Sequence, residues 1–260
     1  MLKKYLVVIT AIFCCHAITS AQSRQKVDKR FHLYILMGQS NMAGRGPITD
    51  ELKAISNPRV YSFDKKGEWV TAKNPLHFDK PTVVAVGPGL SFGIEMAKQD
   101  TTVKIGLIPC AVGGTSINVW KPGAYDKSTN THPYDDAVLR IKEAMKYGVI
   151  KGLIWHQGEA DSNPPSATYL EDFKALISRI RILTKNKKLP VVAGELGRFQ
   201  QRYIDMNREL AKIPDFVKYT AFATSEELKD KGDQTHFDGK SANEYGKRYA
   251  EKMKGLQTSK

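Results

Sequence analysis

The chain has 260 residues, enough for one large domain with a sizeable core and too few for two of ordinary size. It carries 40 Lys and Arg against 27 Asp and Glu, a formal net charge of +13. Its lysines are scattered and are not interleaved with aromatic residues, which argues against nucleic-acid binding. The composition therefore predicts a single domain with a generally basic surface.

The first 21 residues predict a secretory signal peptide. Lys3 and Lys4 supply a basic start, residues 6–13 are almost wholly apolar, and residues 19–21 offer small side chains for cleavage after Ala21. The apolar run is too short to span a bilayer, and no later segment is long and apolar enough to do so. We expect residues 22–260 to form one exported domain, either periplasmic or extracellular, with no membrane span.

The remainder of the chain alternates between short apolar runs and segments of helical periodicity. The runs predict five strands, at residues 33–37, 103–109, 149–155, 190–196 and 217–223. The periodic segments predict helices at residues 91–99, 133–147, 167–183, 202–212 and 241–253. This alternation favours an α/β fold, a three-layer α/β/α sandwich around a five-stranded parallel sheet of order 2-1-3-4-5.

Two further features lie within this pattern. Residues 59–70 predict a small hairpin that turns at residues 64–67 and lies at the rim of any site formed by the strand ends. Cys110 follows the second strand and would be the only cysteine once residues 1–21 are removed, so no internal disulfide is expected. We predict that Cys110 is a buried, inert thiol.

Polar, glycine-bearing segments follow the predicted strands. Ser40 comes after the first strand, residues 111–120 after the second, and residues 156–161 after the third. Residues 232–239 lie between the fifth strand and the last helix. Because the carboxyl ends of parallel strands meet at one edge of a sheet, we expect these segments to converge there.

The residue types in these segments fit acyl transfer. A serine hydroxyl such as that of Ser40 is a weak nucleophile until a general base takes its proton, and the imidazole of His236 is suited to that task. Asp233, three residues earlier, would fix the tautomer of this imidazole and stabilise its charged form. The candidate donors to an oxyanion are the backbone N–H groups of Ser40, Gly113 and Gly114 and the side-chain amide of Gln157.

Four motifs in chain order carry a family resemblance: residues 38–42 (GQSNM), 112–114 (VGG), 155–159 (WHQGE) and 233–236 (DQTH). Together they resemble the SGNH-hydrolase superfamily, and within it the carbohydrate esterase family 6 and sialate O-acetylesterase-like branch. Residues 86–93 (VGPGLSFG) match as well, so that the resemblance covers nearly the whole chain after residue 21. It implies a flavodoxin-like fold, a serine esterase mechanism and an acetylated carbohydrate as substrate.

The resemblance also implies roles for individual residues. Ser40 would be the nucleophile, His236 the base and Asp233 its acid partner, with Glu159 as an alternative or auxiliary acid. Gln39 and Asn41, which flank the serine, are candidate substrate contacts. No cluster of residues has convincing metal-ligand spacing, so we expect neither a metal nor a cofactor.

Several alternatives remain at the level of function. An α/β-hydrolase would have the motif Gly-x-Ser-x-Gly around its nucleophile, but Met42 stands where the last glycine would be, so an α/β-hydrolase is disfavoured. Acetylated xylan is the preferred substrate, and O-acetylated sialic acid is the alternative. A non-catalytic glycan-binding module on the same fold is the alternative of a different class, and it would use Trp69, Trp120 and Trp155 to stack on sugars.

Overall fold

The structure is a computed structural model that describes residues 26–258. The predicted signal peptide at residues 1–21 lies outside the described residues. Between residues 26 and 258, no helix has both the length and the apolar character needed to cross a membrane.

The protein has an α/β fold around a seven-stranded, mostly parallel sheet. The strands are β1 (Phe31–Gly38), β2 (Val60–Phe63), β3 (Trp69–Thr71), β4 (Lys104–Pro109), β5 (Val149–His156), β6 (Val191–Gly194) and β7 (Thr220–Ala223). Their order is β3-β2-β4-β1-β5-β6-β7, and every neighbouring pair is parallel except β2 with β3.

The prediction of five strands is wrong, and the reason lies in the hairpin. The hairpin forms as predicted, but its strand β2 also pairs in parallel with β4, with Val60 opposite Ile105. The hairpin therefore adds β2 and β3 to one edge of the sheet. The five predicted runs occupy the neighbouring positions β4-β1-β5-β6-β7.

Helices cover both faces of the sheet. They are α1 (Ser40–Ala43), α2 (Asp50–Ala54), α3 (Gly89–Gln99), α4 (Pro133–Ala144), α5 (Tyr169–Leu183), α6 (Gln201–Leu210), α7 (Ile213–Phe216) and α8 (Gly239–Thr258). On β1, Leu33, Ile35 and Met37 belong to a buried cluster with α4, α5 and α6. The alternate residues Tyr34 and Leu36 belong to a second cluster with α3 and α8. Side chains of β1 thus point alternately to two separate cores, as the pleat of a strand requires.

Helix α5 illustrates why these segments form helices. Its apolar residues recur every three or four positions and form one buried stripe: Tyr169, Phe173, Leu176, Ile177 and Ile180. Glu171 and Asp172 in the first turn and Arg181 in the last complement the helix dipole. Burial of each large apolar side chain contributes roughly 1.5–3 kcal/mol, so packing is the main source of the helix's stability.

The tryptophans belong to the core. Trp120 and Trp155 are each 1% exposed, and their rings meet edge to face with centroids 5.4 Å apart. Trp69 is partly buried and packs against Phe31 and Phe63. The prediction that these rings stack on sugars therefore fails for Trp120 and Trp155, which have no accessible face.

Strand β1 ends at a residue that must be glycine. Gly38 has φ +131°, and a Cβ atom placed on it would lie 2.0 Å from the carbonyl oxygen of His156 on β5. That oxygen accepts a hydrogen bond from the next backbone N–H, of Gln39, at 2.9 Å. The close approach turns the chain sharply and places Ser40 at the start of α1, directly beyond the strand end.

Candidate active site

Residues from four strand ends line one pocket of about 470 Å³. Ser40 follows β1, Gly114 follows β4, Glu159 follows β5, and His236 lies on the loop between β7 and α8. The predicted convergence at the carboxyl edge of the sheet is therefore confirmed. Among residues 26–258, no group of three or more His, Cys, Asp and Glu side chains is arranged to hold a metal ion.

Ser40, His236 and Asp233 form a continuous hydrogen-bonded chain. His236 Nε2 lies 3.0 Å from Ser40 Oγ, and His236 Nδ1 lies 2.7 Å from Asp233 Oδ2. Because a carboxylate only accepts, Nδ1 carries the proton and Nε2 presents its lone pair to the serine hydroxyl. The geometry is that of a nucleophile, a base and an orienting acid.

The Asp233 carboxylate is held in its ionised form. Burial opposes ionisation, but the hydrogen bond from the His236 side chain and those from the backbone N–H groups of His236 and Thr235 outweigh it and lower the pKa of Asp233 to about 2. The two backbone groups donate to Oδ1 at 2.8 and 3.0 Å, so Oδ2 is left for the imidazole. The Lys231 ammonium, 3.5 Å from Oδ2, adds a positive charge nearby.

Glu159 does not contact His236, so its assignment as an alternative acid partner is not supported. Its Oε1 accepts a 2.5 Å hydrogen bond from Asn41 Nδ2 and lies 3.4 Å from His156 Nε2. Burial opposes ionisation here too, but the hydrogen bonds from His156 and Asn41 lower the pKa of Glu159. The carboxylate is therefore an acceptor that fixes Asn41.

Asn41 in turn holds the loop that carries His236. Its Nδ2 donates to the carbonyl oxygen of Thr235 at 3.0 Å, and its Oδ1 accepts from the N–H of Phe237 at 3.1 Å. These are the residues on either side of His236. Asn41 is 4% exposed and does not line the pocket, so it positions the base and is not the substrate contact that the sequence suggested.

Gln157 is not placed to stabilise an oxyanion, which corrects the prediction. The side chain is fully buried and does not line the pocket. Its Nε2 faces three acceptors: the carbonyl oxygen of Thr115 at 3.0 Å, Gln39 Oε1 at 3.1 Å and the carboxylate of Asp161. An amide nitrogen has two hydrogens, and these acceptors take both. Gln157 therefore braces the loop after β4.

The two glycines of that loop differ in what their N–H groups do. The N–H of Gly113 donates to Asp79 Oδ2 at 2.8 Å, so the prediction that it faces an oxyanion is wrong. Gly114 has φ +87°, lines the pocket, and its N–H has no hydrogen-bond partner among the described residues. The N–H of Ser40, in the first turn of α1, also lacks an intrahelical acceptor. Backbone donors are thus available from Ser40 and Gly114.

Gln39 offers the side-chain donor that Gln157 does not. Its Oε1 accepts from Gln157 Nε2 and from the backbone N–H of Ala160, at 3.1 and 3.4 Å. Since a backbone N–H can only donate, this fixes which end of the amide faces inward. Gln39 lines the pocket, and its Nε2 has no hydrogen-bond partner in the described part of the chain. The sequence analysis gave Gln39 only as a substrate contact. Its position directly before Ser40 could have indicated that its side chain is a donor in the pocket.

The same substitution at the two glutamines separates their roles. Gln39→Glu keeps an oxygen for the Ala160 N–H but replaces the pocket-facing N–H with an acceptor, so we expect kcat to fall by about 10²–10³-fold with little change in KM. The melting temperature should change by less than about 3 °C. Gln157→Glu places a second carboxylate against Asp161 and should lower the melting temperature and activity together. A near-normal kcat in Gln39→Glu would remove Gln39 from the oxyanion site.

The lowered pKa of Asp233 makes a prediction about stability and pH. The folded value of about 2 lies below the reference value of 3.8, so the ionised carboxylate stabilises the fold above about pH 4. This contribution is lost as the pH falls through about 2. Urea unfolding of the wild type and of Asp233→Asn should therefore give curves that differ most above pH 4 and converge towards pH 2.

A matched variant controls for the loss of a carboxylate as such. Glu251 is an exposed side chain on α8, away from the site, and Glu251→Gln should leave stability nearly unchanged over the same pH range. A stability difference between wild type and Asp233→Asn that stays constant down to pH 2 would contradict the proposed ionisation of Asp233.

The chain is similar to several known proteins. A family model described as "carbohydrate esterase, sialic acid-specific acetylesterase" matches residues 30–255. A probable carbohydrate esterase of Arabidopsis thaliana is 30% identical over 216 residues, covering 74% of this chain and 80% of the relative. A crystal structure from the same plant superposes with a TM-score of 0.77 at 25% identity and covers 86% of this chain and 98% of the other.

Two more distant structures share the fold. A carbohydrate acetylesterase from Xanthomonas citri superposes with a TM-score of 0.68 at 20% identity, covering 88% of this chain and 57% of that one. NanS superposes with a TM-score of 0.69 at 16% identity, covering 90% of this chain and all of the other.

Proposed function

Because this chain belongs to the carbohydrate esterase, sialic acid-specific acetylesterase family, we propose that Ser40, His236 and Asp233 remove O-acetyl groups from carbohydrates through an acetyl-enzyme. Family membership makes the protein a carbohydrate acetylesterase, that is, a carboxylic ester hydrolase. The observation that carries the proposed mechanism is the chain of contacts from Ser40 Oγ to His236 Nε2 at 3.0 Å and from His236 Nδ1 to Asp233 at 2.7 Å.

The first half of the proposed reaction forms the acetyl-enzyme. Ser40 Oγ attacks the acetyl carbonyl carbon while His236 Nε2 takes the hydroxyl proton. Negative charge develops on the carbonyl oxygen, which accepts hydrogen bonds from the N–H groups of Ser40 and Gly114 and from Gln39 Nε2. As the intermediate collapses, the C–O bond to the sugar breaks, and the sugar oxygen takes the proton from His236.

The second half releases acetate. A water molecule donates a proton to His236 Nε2 and attacks the acetyl carbon, and the same donors stabilise the second oxyanion. Collapse returns the proton from His236 to Ser40 Oγ and frees acetic acid. In both halves the Asp233 carboxylate stabilises the imidazolium, because its pKa of about 2 keeps it ionised.

Two classes of acetylated glycan are candidate substrates. Acetylated xylan is the substrate that the sequence favours, whereas O-acetylated sialic acid is supported by the description of the matching family. Specificity depends on loops around a shared acyl site, so the chemistry of Ser40 serves both. Acetate release measured in parallel from acetylated xylan, O-acetyl sialic acid and acetylated monosaccharides distinguishes them.

Removal of the nucleophile tests the catalytic proposal. Ser40→Ala should abolish hydrolysis of 4-nitrophenyl acetate and of acetylated sugars while leaving the melting temperature close to that of the wild type, since little volume is lost. Ser178→Ala, at an exposed position on α5, is the matched control and should retain full activity. A wild-type protein that binds polysaccharide without turnover would instead support the non-catalytic binding module.

We also propose that the enzyme is exported, on the basis of the signal-peptide pattern in residues 1–21. Expression of the full chain should give a mature protein that begins at Gln22 and is recovered outside the cytoplasm. Mass spectrometry of the amino terminus measures this directly. A cytoplasmic product that retains residues 1–21 would contradict export.

A further inference from the structure

A second cavity of about 560 Å³ lies beside the catalytic pocket, between the turn of the β2–β3 hairpin and α4. We call it the side cavity. The residues that line it include Phe63, Lys65, His77, Phe78, Cys110 and Arg140. Its volume is in the range of roughly 300–1,000 Å³ that is typical of small-molecule sites. None of these side chains has a part in the proposed hydrolysis.

A thin wall separates the side cavity from the catalytic pocket. Asp79 lines the side cavity, and its Oδ2 accepts from Arg45 Nη2 at 2.7 Å and from the Gly113 N–H at 2.8 Å. Arg45 and Gly113 both line the catalytic pocket. The two spaces are therefore neighbours on either side of the Arg45–Asp79 ion pair.

Arg140 is the partly buried cation of the side cavity, and it forms no ion pair with any residue between 26 and 258. Its Nη2 donates to the carbonyl oxygens of Phe63 and Asp64, the latter at 2.6 Å. The guanidinium carbon lies 5.0 Å from the ring centroid of Phe63 and 4.5 Å from that of Phe78. Among the described residues, no carboxylate oxygen lies within 4.0 Å of its nitrogens, and its only hydrogen bonds are those of Nη2. Its Nε is buried without a hydrogen-bond partner among the same residues.

An uncompensated, partly buried cation is costly in a folded protein. Burial lowers the pKa of Arg140, which reflects the loss of water around the guanidinium. By contrast Arg45, on the other side of the wall, is paired with the almost fully buried carboxylate of Asp79. Charges that leave water are ordinarily paired, so an unpaired guanidinium that faces a cavity points to an anionic ligand.

The other charged groups around the side cavity do not supply this partner. Glu143 is paired with Lys146 at 2.5 Å, and Asp136 accepts from the backbone N–H of His132 at 3.2 Å. Both acidic residues line the cavity on the α4 side, opposite the exposed Lys65 and Lys66 of the hairpin turn. His77 lies in the wall, with burial lowering its pKa to about 4, so its imidazole is neutral at physiological pH.

We propose that the side cavity binds the carboxylate of an acidic sugar, with Arg140 as its ion-pair partner and the rings of Phe63 and Phe78 holding the guanidinium in place. This inference rests on the proposed deacetylation at Ser40 and extends it to the substrate. Nη2 already donates to the hairpin carbonyl oxygens, so the remaining N–H groups of the guanidinium are left to donate to a carboxylate. The carboxylate belongs either to an O-acetylated sialic acid or to a uronic acid next to an acetylated sugar.

The first test uses the wild-type enzyme and varies the substrate charge. O-acetyl sialic acid is compared with its methyl ester, and acetylated glucuronoxylan with acetylated xylan that lacks uronic acid. In one of the two pairs, the acidic substrate should have a kcat/KM about 10–100-fold higher than its neutral counterpart, mainly because its KM is lower. The pair that shows this preference identifies the source of the carboxylate. Equal values within both pairs would overturn the proposal.

The second test removes the cation. Arg140→Gln retains a donor for the hairpin carbonyls and should lose the preference for the acidic substrate while keeping its activity on 4-nitrophenyl acetate. Arg179→Gln is the matched control: Arg179 is also partly buried, donates to the carbonyl oxygen of Trp120 and lies over the ring of Tyr134, but it does not line the side cavity. Arg179→Gln should keep the preference for the acidic substrate. If both variants lose this preference, the assignment of Arg140 as the carboxylate's partner is contradicted.

The outcomes also separate this inference from the proposed function. If the wild type hydrolyses neither 4-nitrophenyl acetate nor any acetylated sugar, the esterase mechanism itself fails. If it hydrolyses acidic and neutral substrates equally well, the mechanism stands and only the assignment of the side cavity is wrong.

Discussion

At the end of β1, Gly38 lies against the carbonyl oxygen of His156 on β5, and the site depends on this contact. Because no side chain stands there, β1 can turn away from the sheet within one residue. The three residues that follow then face three directions. Gln39 presents its amide to the pocket, Ser40 its hydroxyl to His236, and Asn41 its amide to the loop that carries that histidine.

His236, the proposed base, is held by two different sets of contacts. Asp233 fixes the imidazole ring itself, whereas Asn41 fixes the backbone on both sides of it. Asn41 is oriented by the buried carboxylate of Glu159, which lies beside His156. The Asp233 carboxylate therefore fixes which nitrogen of His236 carries the proton, whereas the Glu159 carboxylate fixes the position of His236 through Asn41. This explains why two acidic residues lie near one histidine.

Most of the sheet could be predicted from the sequence because strands that are covered on both faces appear as continuous apolar runs, as at residues 33–37. The hairpin was predictable as a local unit, but its pairing with β4 was not, since that pairing joins Val60 to Ile105 across a long stretch of chain. The short helix α1 has too few residues to show helical periodicity. The roles of Ser40, Asp233 and His236 followed from residue type and motif. The sequence did not indicate that Gln39, and not Gln157, offers the side-chain donor to the pocket, because this depends on which acceptors surround each amide.

The last helix contacts the ends of the strands that carry the site, and this has a consequence for the order in which the protein becomes active. The Tyr249 hydroxyl on α8 lies 2.9 Å from His156 Nδ1 and donates to the carbonyl oxygen of Trp155. The Tyr245 hydroxyl lies 2.6 Å from the carbonyl oxygen of Glu195, just after β6, and 3.0 Å from that of Ala223, the last residue of β7. During synthesis from the amino end, the chain contains Ser40 long before it contains His236 and α8. Under the proposed mechanism, Ser40 has no base until the segment that carries His236 has been made and has folded against it, so hydrolysis begins only when nearly the whole chain has been synthesised.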